Sequence, residues 1–539
     1  MVTKGQLIRS YASVPKSMLS STNRFSRSSK LLGADAVNHW KVAHRNLLRT
    51  FGVNIIAVEE MEIIPAKRAP GPLEVALSQK ATLAAALPAL AVALKGRGDL
   101  LNVPEDGRKA VKTQFKEIVD LRASATELEV FYSVVEENPQ VAFVVRVGEG
   151  GGEAGRRKPG EALNASLYPG QIIANKQYRG FSVEQLRSAG VKVYEIATDP
   201  IDGTTKTVMG DSDAITSLLV VDGEIAQVPD VYMEKLTLGP DAARSGLDTN
   251  EELQKIVQGI SDLHRVPVGE INVFTLNRER HPIEPMQSLG VNVVTASDCD
   301  LITAPATSAN AGIYENGFPL RAMMGDTGGA PEYIIGAVAN NMLGGESHGR
   351  FVSAKGMKEK GWDGRYDFND EDREVIEGAG LSLEANYPIS QLVDFKDGIA
   401  AFGGITANSH FPQLSGVFIG DNYAQVDVLL VRASGRLTKR RITFEFLDSH
   451  ATMIEHFSPI TEVIMNCDIL DIRGELRKIL DDPGRKERLH REIGLSLYHI
   501  FEIHEGKFKL AEAKMQELGD ERTQTIVKNL MKLTPEWFV

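Results

Sequence analysis

Apolar positions along the chain fall into two patterns, one of helical and one of strand character, and their alternation divides it into elements. From Pro72 to Lys95, the residues Leu73, Val75, Ala76, Leu77, Ala84, Leu87, Leu90, Ala91 and Leu94 cover most of a helical wheel. They predict a largely buried helix, ended by Gly96-Arg97-Gly98. Short apolar runs predict strands at Val141–Val147 and at Val191–Thr198, the latter ending at Asp199. Ile215–Val221 and Glu224–Val228 predict a hairpin turned at Asp222-Gly223. A second α/β run follows, with strands at Ile271–Leu276, Val291–Ala296 and Leu320–Met324. A helix over Glu332–Met342 has Pro331 at its start and Gly344-Gly345 after it, the expected terminal asymmetry. Gln425–Val431 and Arg440–Phe446 predict further strands, and from about Asp448 to Leu533 the pattern turns charged and helical.

Composition narrows the function classes. A chain of 539 residues has room for several domains, each with its own core. The net charge of −12 argues against nucleic acid as partner, because neutralising phosphates takes a basic surface. Cys299 and Cys467 are the only cysteines, which excludes a disulfide framework and points to a reducing compartment. The most apolar stretch, Ala81–Leu94, is too short to span a bilayer and carries Pro88, so no transmembrane segment is expected. The first thirty-four residues are serine-rich, carry Lys4, Arg9, Lys16, Arg24, Arg27 and Lys30, and have no acid before Asp35. Such a start is the composition of an organelle transit peptide or of a flexible basic tail. The first reading places the protein in an organelle, the mitochondrial matrix ahead of a plastid; the second leaves it cytoplasmic.

The sharpest motif is Asp199-Pro200-Ile201-Asp202-Gly203-Thr204-Thr205, directly after a predicted strand. Two carboxylates three positions apart, on a turn fixed by Pro200 and opened by Gly203, can converge on one divalent cation. Hard oxygen ligands of this kind suit Mg²⁺ or Mn²⁺. The amides of Gly203-Thr204-Thr205 can receive a phosphate oxygen. A plain turn rich in Asp, Pro and Gly is the competing reading.

This heptad resembles the signature of the lithium-sensitive, metal-dependent sugar phosphatase superfamily. Other segments resemble class II fructose-1,6-bisphosphatases: Gly96-Arg97-Gly98-Asp99 with Asp106-Gly107, Val147-Gly148-Glu149-Gly150, Asp230–Leu236, and Leu276–His281. Asp298-Cys299-Asp300, Gly328-Gly329-Ala330-Pro331-Glu332 with Gly344-Gly345-Glu346, Phe402–Thr406 and Lys439-Arg440-Arg441 continue the match in order, over about residues 73–448. The resemblance implies metal carboxylates at Asp106, Glu149, Asp199, Asp202 and Glu332. It implies that Thr204 orients the attacking water, with Asp106 as its partner. It places sugar-phosphate contacts at Gly203, Tyr232, Arg278, Arg280, Asp298, Asp300 and Gly329. The expected fold is a layered α/β sugar phosphatase of two α/β domains: a basic leader and extension at 1–60, a metal-binding domain at 61–245, a substrate-binding domain at 246–448, and a helical extension at 449–539.

The chain also departs from the pattern. Leu100-Leu101 stand where the family has a lysine, Gly151 replaces the second acid of Gly-Glu-Gly-Glu, and Cys299 replaces a glycine whose absence is expected to crowd the sugar. The segments on either side of Glu149 are longer than the family norm. Two readings follow. The resemblance implies an Mg- or Mn-dependent hydrolase acting on fructose-1,6-bisphosphate or sedoheptulose-1,7-bisphosphate. The leader, the altered loop and the helical tail suggest instead a non-catalytic or weakly active phosphatase-like subunit, a docking module in a large organellar assembly. Either a homo-oligomer or a subunit of a larger complex is expected, with residues 449–539 outside catalysis.

Overall fold

The computed structural model describes residues 30–148, 167–228, 231–278, 281–311, 314, 316–352, 368, 370–383, 385–466, 471–496, 501–504, 507–510 and 521–538. Glu149, Gly151, Arg280 and Cys467 lie outside them.

Strands β1 (Lys30–Leu31) and β2 (Val53–Ile64) flank helix α1 (Ala34–Ala43) and precede the long helices α2 (Pro72–Leu94) and α3 (Glu105–Glu137). Next come β3 (Val141–Gly148), β4 (Ile172–Ile173), β5 (Lys192–Asp202), the short helix α4 (Thr204–Met209) and β6 (Ile215–Ile225). The middle of the chain holds β7 (Tyr232–Leu238), α5 (Leu253–His264), β8 (Asn272–Leu276), β9 (Asn292–Ala296), α6 (Asp300–Ala309), β10 (Leu320–Gly329), α7 (Ala330–Met342), β11 (Glu346–Phe351) and β12 (Asn386–Pro388). Strands β13 (Val393–Gly404), β14 (Phe418–Ile419), β15 (Tyr423–Arg432) and β16 (Leu437–Phe446) follow.

Two sheets result. The larger runs β1-β2-β16-β15-β13-β6-β5-β3-β4 with β14 on β15, and the smaller runs β12-β11-β7-β10-β8-β9. Helices α2 and α3 cover one face of the large sheet, α6 and α7 fill the space between the sheets, and α5 closes the far face of the small one. The described residues therefore form a layered α/β structure around these two large sheets. Its central strands are buried on both sides: in β6, Leu218 and Val220 face α2, while Leu219 and Val221 face α7. That is why these strands read as continuous apolar runs rather than alternating ones. From Lys80 through Leu94 every residue of α2 is buried. The helix is long and apolar enough to cross a bilayer, but here it serves as a core helix.

Three expectations change. The hairpin at Asp222-Gly223 does not form, because β6 runs straight through it, paired with β13 from Ile215↔Gly404 to Ile225↔Val393. A long neighbouring strand satisfies the backbone that a turn would have satisfied locally. Gly223 is needed there for close approach, since a Cβ would stand 1.9 Å from the Asp394 carbonyl oxygen. The sheets also cross the boundary expected at residue 245. β7 joins the small sheet, while β13, β15 and β16, expected with the second unit, return to the large one. Lastly, the C-terminal region is not all helix. Helices α8 (Ile460–Asn466), α9 (Ile472–Leu480), α10 (Pro483–Ser496) and α11 (Glu521–Leu533) share a small core, but the hairpin Phe501–His504/Lys507–Leu510 interrupts them.

Candidate active site

The site forms where β5 leaves the large sheet. β5 stays paired with β6 as far as Asp199, then loses register before Asp202, so the Asp199–Asp202 segment bulges from the sheet. The Asp199 Oδ1 accepts from the Ile201 amide at 3.0 Å, and Ser217 Oγ donates to the Asp199 carbonyl at 3.1 Å. Gly203 follows with φ of +86°, a left-handed turn, and helix α4 starts at Thr204.

Thr204 sits on a carboxylate that the sequence reading missed. Its hydroxyl lies 3.1 Å from Asp120 Oδ1 and 3.3 Å from the Ile201 carbonyl. The expected Thr204–Asp106 pair is therefore corrected. Asp106 is exposed in the first turn of α3. Fourteen residues of helix separate it from Asp120, about 21 Å along the axis. About two turns beyond Asp120, Glu127 is also buried and accepts from Thr198 Oγ1 at 2.7 Å. A signal for both was present in the sequence. Asp120, Arg122, Glu127 and Glu129 interrupt a run of small and apolar residues, and charges within such a run need a partner or a task.

A junction in the second sheet brings up the other half. Tyr232 pairs with Gly329 across β7 and β10, and Glu332 follows in the first turn of α7. A Cβ on Gly329 would come within 2.0 Å of Glu332 Oε2, so a side chain there would displace that carboxylate. Asp300 is buried and forms an ion pair with Lys235, a buried cation that the sequence reading did not single out. Arg278, in the loop after β8, reaches Asp298 at 3.3 Å. Cys299 lies close enough to Asp213 and Asp202 for their charges to add to burial in raising its thiol, but it is wholly buried and so not exposed in this cleft. Its φ is +86°, its thiol is wholly buried in the core between the sheets, and its nearest polar neighbour is Thr303 Oγ1 at 3.8 Å. The expected crowding of a sugar by the thiol is therefore corrected.

Charge is concentrated here. Burial, then the Glu332 and Asp120 charges, push the Asp199 carboxyl well above its usual range. Burial, then Asp199 and Asp300, do the same to Asp202. Burial lifts Asp120 to about 7 against the pull of Lys116 and the Thr204 hydroxyl, and lifts Glu127 to about 8. Burial also opposes ionisation of Asp300, but Lys235 overrides it and holds that carboxyl low. Among the described residues, Oδ2 of Asp120, Asp199 and Asp202 and Oε2 of Glu127 are buried without a hydrogen-bond partner. Buried carboxylate oxygens left so are costly unless a cation or a proton meets them. As they stand, no three carboxylate, histidine or cysteine groups among the described residues close tightly enough to enclose an ion. The donor chemistry nonetheless fits a hard divalent cation. An open surface groove of about 510 Å³, lined by Arg187, Lys192, Asp222, Asp394 and Lys396, lies at the opposite end of β5 and holds none of these residues.

Sequence comparison points the same way. A family model described as bacterial fructose-1,6-bisphosphatase, glpX-encoded, matches residues 173–445. Fructose-1,6-bisphosphatase 1 class 2 of Escherichia coli (strain K12) is 28% identical over 257 residues, 47% of this chain and 73% of the relative. The Haemophilus influenzae class 2 enzyme is 28% identical over 271 residues, 49% and 77% of the two chains. The D-fructose 1,6-bisphosphatase class 2/sedoheptulose 1,7-bisphosphatase of Microcystis aeruginosa is 31% identical over 161 residues, 29% of this chain and 44% of that one.

Proposed function

Since the chain belongs to the glpX-encoded bacterial fructose-1,6-bisphosphatase family, we propose that it hydrolyses a phosphate monoester of a sugar bisphosphate, fructose-1,6-bisphosphate or sedoheptulose-1,7-bisphosphate, with Mg²⁺ or Mn²⁺. The observation that carries this is the Thr204–Asp120 hydrogen bond set beside the buried carboxylates of Asp199 and Asp202. A hydroxyl held by a buried acid is a device for orienting water, and among the described residues Oδ2 of Asp199 and of Asp202 is buried without a hydrogen-bond partner.

Asp120, Asp199, Asp202 and Glu332 would hold the cations, together with Glu149 from outside the described residues. A bound divalent cation supplies charge neutralisation for the phosphoryl group and makes water more acidic. The chain's own groups do the rest. Thr204 Oγ1 fixes the direction of attack, and Asp120 orients that hydroxyl by accepting its hydrogen bond at Oδ1. The amides after Gly203 face the transferring phosphate. Arg278 binds the second phosphate, while the Lys235–Asp300 pair fixes the loop that meets the sugar hydroxyls.

The test is phosphate release from a panel of sugar bisphosphates by the full chain with Mn²⁺ or Mg²⁺, with and without lithium. Release that lithium suppresses is expected. Thr204→Ala should keep metal binding and lose about a hundredfold or more in turnover. No release from any bisphosphate by protein shown to bind the metal would end this reading.

A further inference from the structure

Helix α3 carries two stripes of charge, each at seven-residue spacing. Asp120 and Glu127 turn toward the end of β5, where they meet Thr204 and Thr198. Arg122, Glu129 and Glu136 lie two positions further on in each repeat, about 200° round the helix and so on nearly the opposite face. All three meet the C-terminal helices. Arg122 is fully buried, with Nη2 2.7 Å from Glu462 Oε1 and 2.8 Å from Ser458 Oγ. Lys95 reaches the same Glu462 oxygen at 3.4 Å. Arg491 of α10 lies 3.2 Å from Glu129 Oε2, pairs with Glu136, and stacks 4.2 Å from the ring centre of Tyr132.

Burial separates these ties from decorative surface pairs. Arg122 and Glu462 are both inside the protein, where each charge is tolerable only because the other is in place. Arg491 and Glu129 are also nearly covered, whereas the neighbouring Arg179–Glu487 pair is well exposed. The ties grip α3 on one side, and its reacting face is on the other. The family match ends at residue 445, so the gripping residues belong to the part of this chain beyond it.

We propose that the C-terminal helical unit positions the Asp120-bearing helix for the reaction, with Glu462 and Arg491 as positioning residues acting through Arg122, Glu129 and Glu136. This rests on the phosphatase reading above. A helix free to rotate or slide would carry Asp120 away from Thr204, and a misplacement of about 1 Å can cost about a hundredfold in rate. The expectation that residues 449–539 stand outside catalysis is replaced.

The experiment uses the full chain with Mn²⁺ and fructose-1,6-bisphosphate. Glu462→Gln and Arg491→Ala are expected to lower kcat by about tenfold or more while KM stays within about twofold. Glu462→Asp and Arg491→Lys should restore most of the loss, which a general loss of folded protein would not predict. Amide exchange over residues 118–128 should speed up in the first two variants. If kcat in both stays within about twofold of the parent, the proposal is overturned. Should Glu462→Gln fail to fold, Arg491→Ala decides alone. A parent that hydrolyses no bisphosphate refutes the phosphatase reading. The exchange measurement then decides positioning, and unchanged protection of residues 118–128 in Arg491→Ala overturns it.

Discussion

Asp120 and Asp106 share helix α3, yet burial separates their roles. Asp120→Asn removes the carboxylate that orients the Thr204 hydroxyl and would help hold the cation, so turnover should fall by at least about a hundredfold. Asp106→Asn, at an exposed first turn, should leave turnover within about twofold and cost at most about 1 kcal/mol through the helix dipole. Steady-state rates of the two variants decide, and equal losses would show that the site has been placed on the wrong end of the helix. Cys299 is also decided by geometry. Cys299→Gly relieves a left-handed φ of +86° but empties a buried thiol position and frees the unfolded chain. These terms are each about 1 kcal/mol and oppose one another. Stability should therefore move by less than about 1 kcal/mol, and KM for the bisphosphate should not change. A tighter KM would return the thiol to the sugar cleft.

Strand β6 shows how an element can override its own turn chemistry. Asp222-Gly223 is among the commonest hairpin signals, but the paired length of β13 makes straight extension the better arrangement for the backbone. Gly223→Ala tests this. The new methyl would meet the Asp394 carbonyl oxygen at 1.9 Å, and backbone cannot give way as a side-chain tip can. A loss of about 2–3 kcal/mol in urea unfolding is expected. A neutral result would mean that the β6–β13 ladder opens there. The same element-scale logic explains which segments were legible. The helix at 332–342 and the strands near 141–147 and 271–276 carry their periodicity locally, so they could be read. Asp120 stands out in the sequence only as one of several charges within an apolar run, and only the fold shows that it, and not Asp106, reaches Thr204.

At the scale of the whole molecule, histidines are buried in neutral form in places far from the site. Burial and the nearby Lys80 hold His44 down to about 4, at the end of α1, where it meets Gln79 at 3.0 Å. Burial and Arg179 hold His490 to about 4 in the C-terminal unit, edge-on to Trp537. The unfolded chain binds these protons below about 6.5, whereas the folded protein resists them until about 4. The stability these two histidines contribute is therefore full above about pH 6.5 and is lost as pH drops toward 4, by up to about 3 kcal/mol for each group. Asp120 and Glu127, lifted to about 7 and about 8, act in the opposite direction over the same range, so the histidine part is read as a difference: between pH 7 and pH 5 the thermal midpoint of His44→Gln should fall less, or rise more, than that of the parent. An unchanged slope in that variant would remove His44 as a cause.

The sequence alone determined the α/β class, the family, the Asp199–Thr205 turn and the main buried helix, because each is written in a continuous local stretch. Close packing of distant segments decided the rest. Which acid meets Thr204, how the Cys299 thiol is buried, whether Asp222-Gly223 turns, and what grips α3 from behind all depend on contacts between segments distant in the sequence, 84 residues apart for Thr204–Asp120 and 340 for Arg122–Glu462. Local propensity differs by about 1 kcal/mol between alternatives, while a buried charge without a partner costs several. Where the two disagree, burial prevails, and burial is a property of the folded whole.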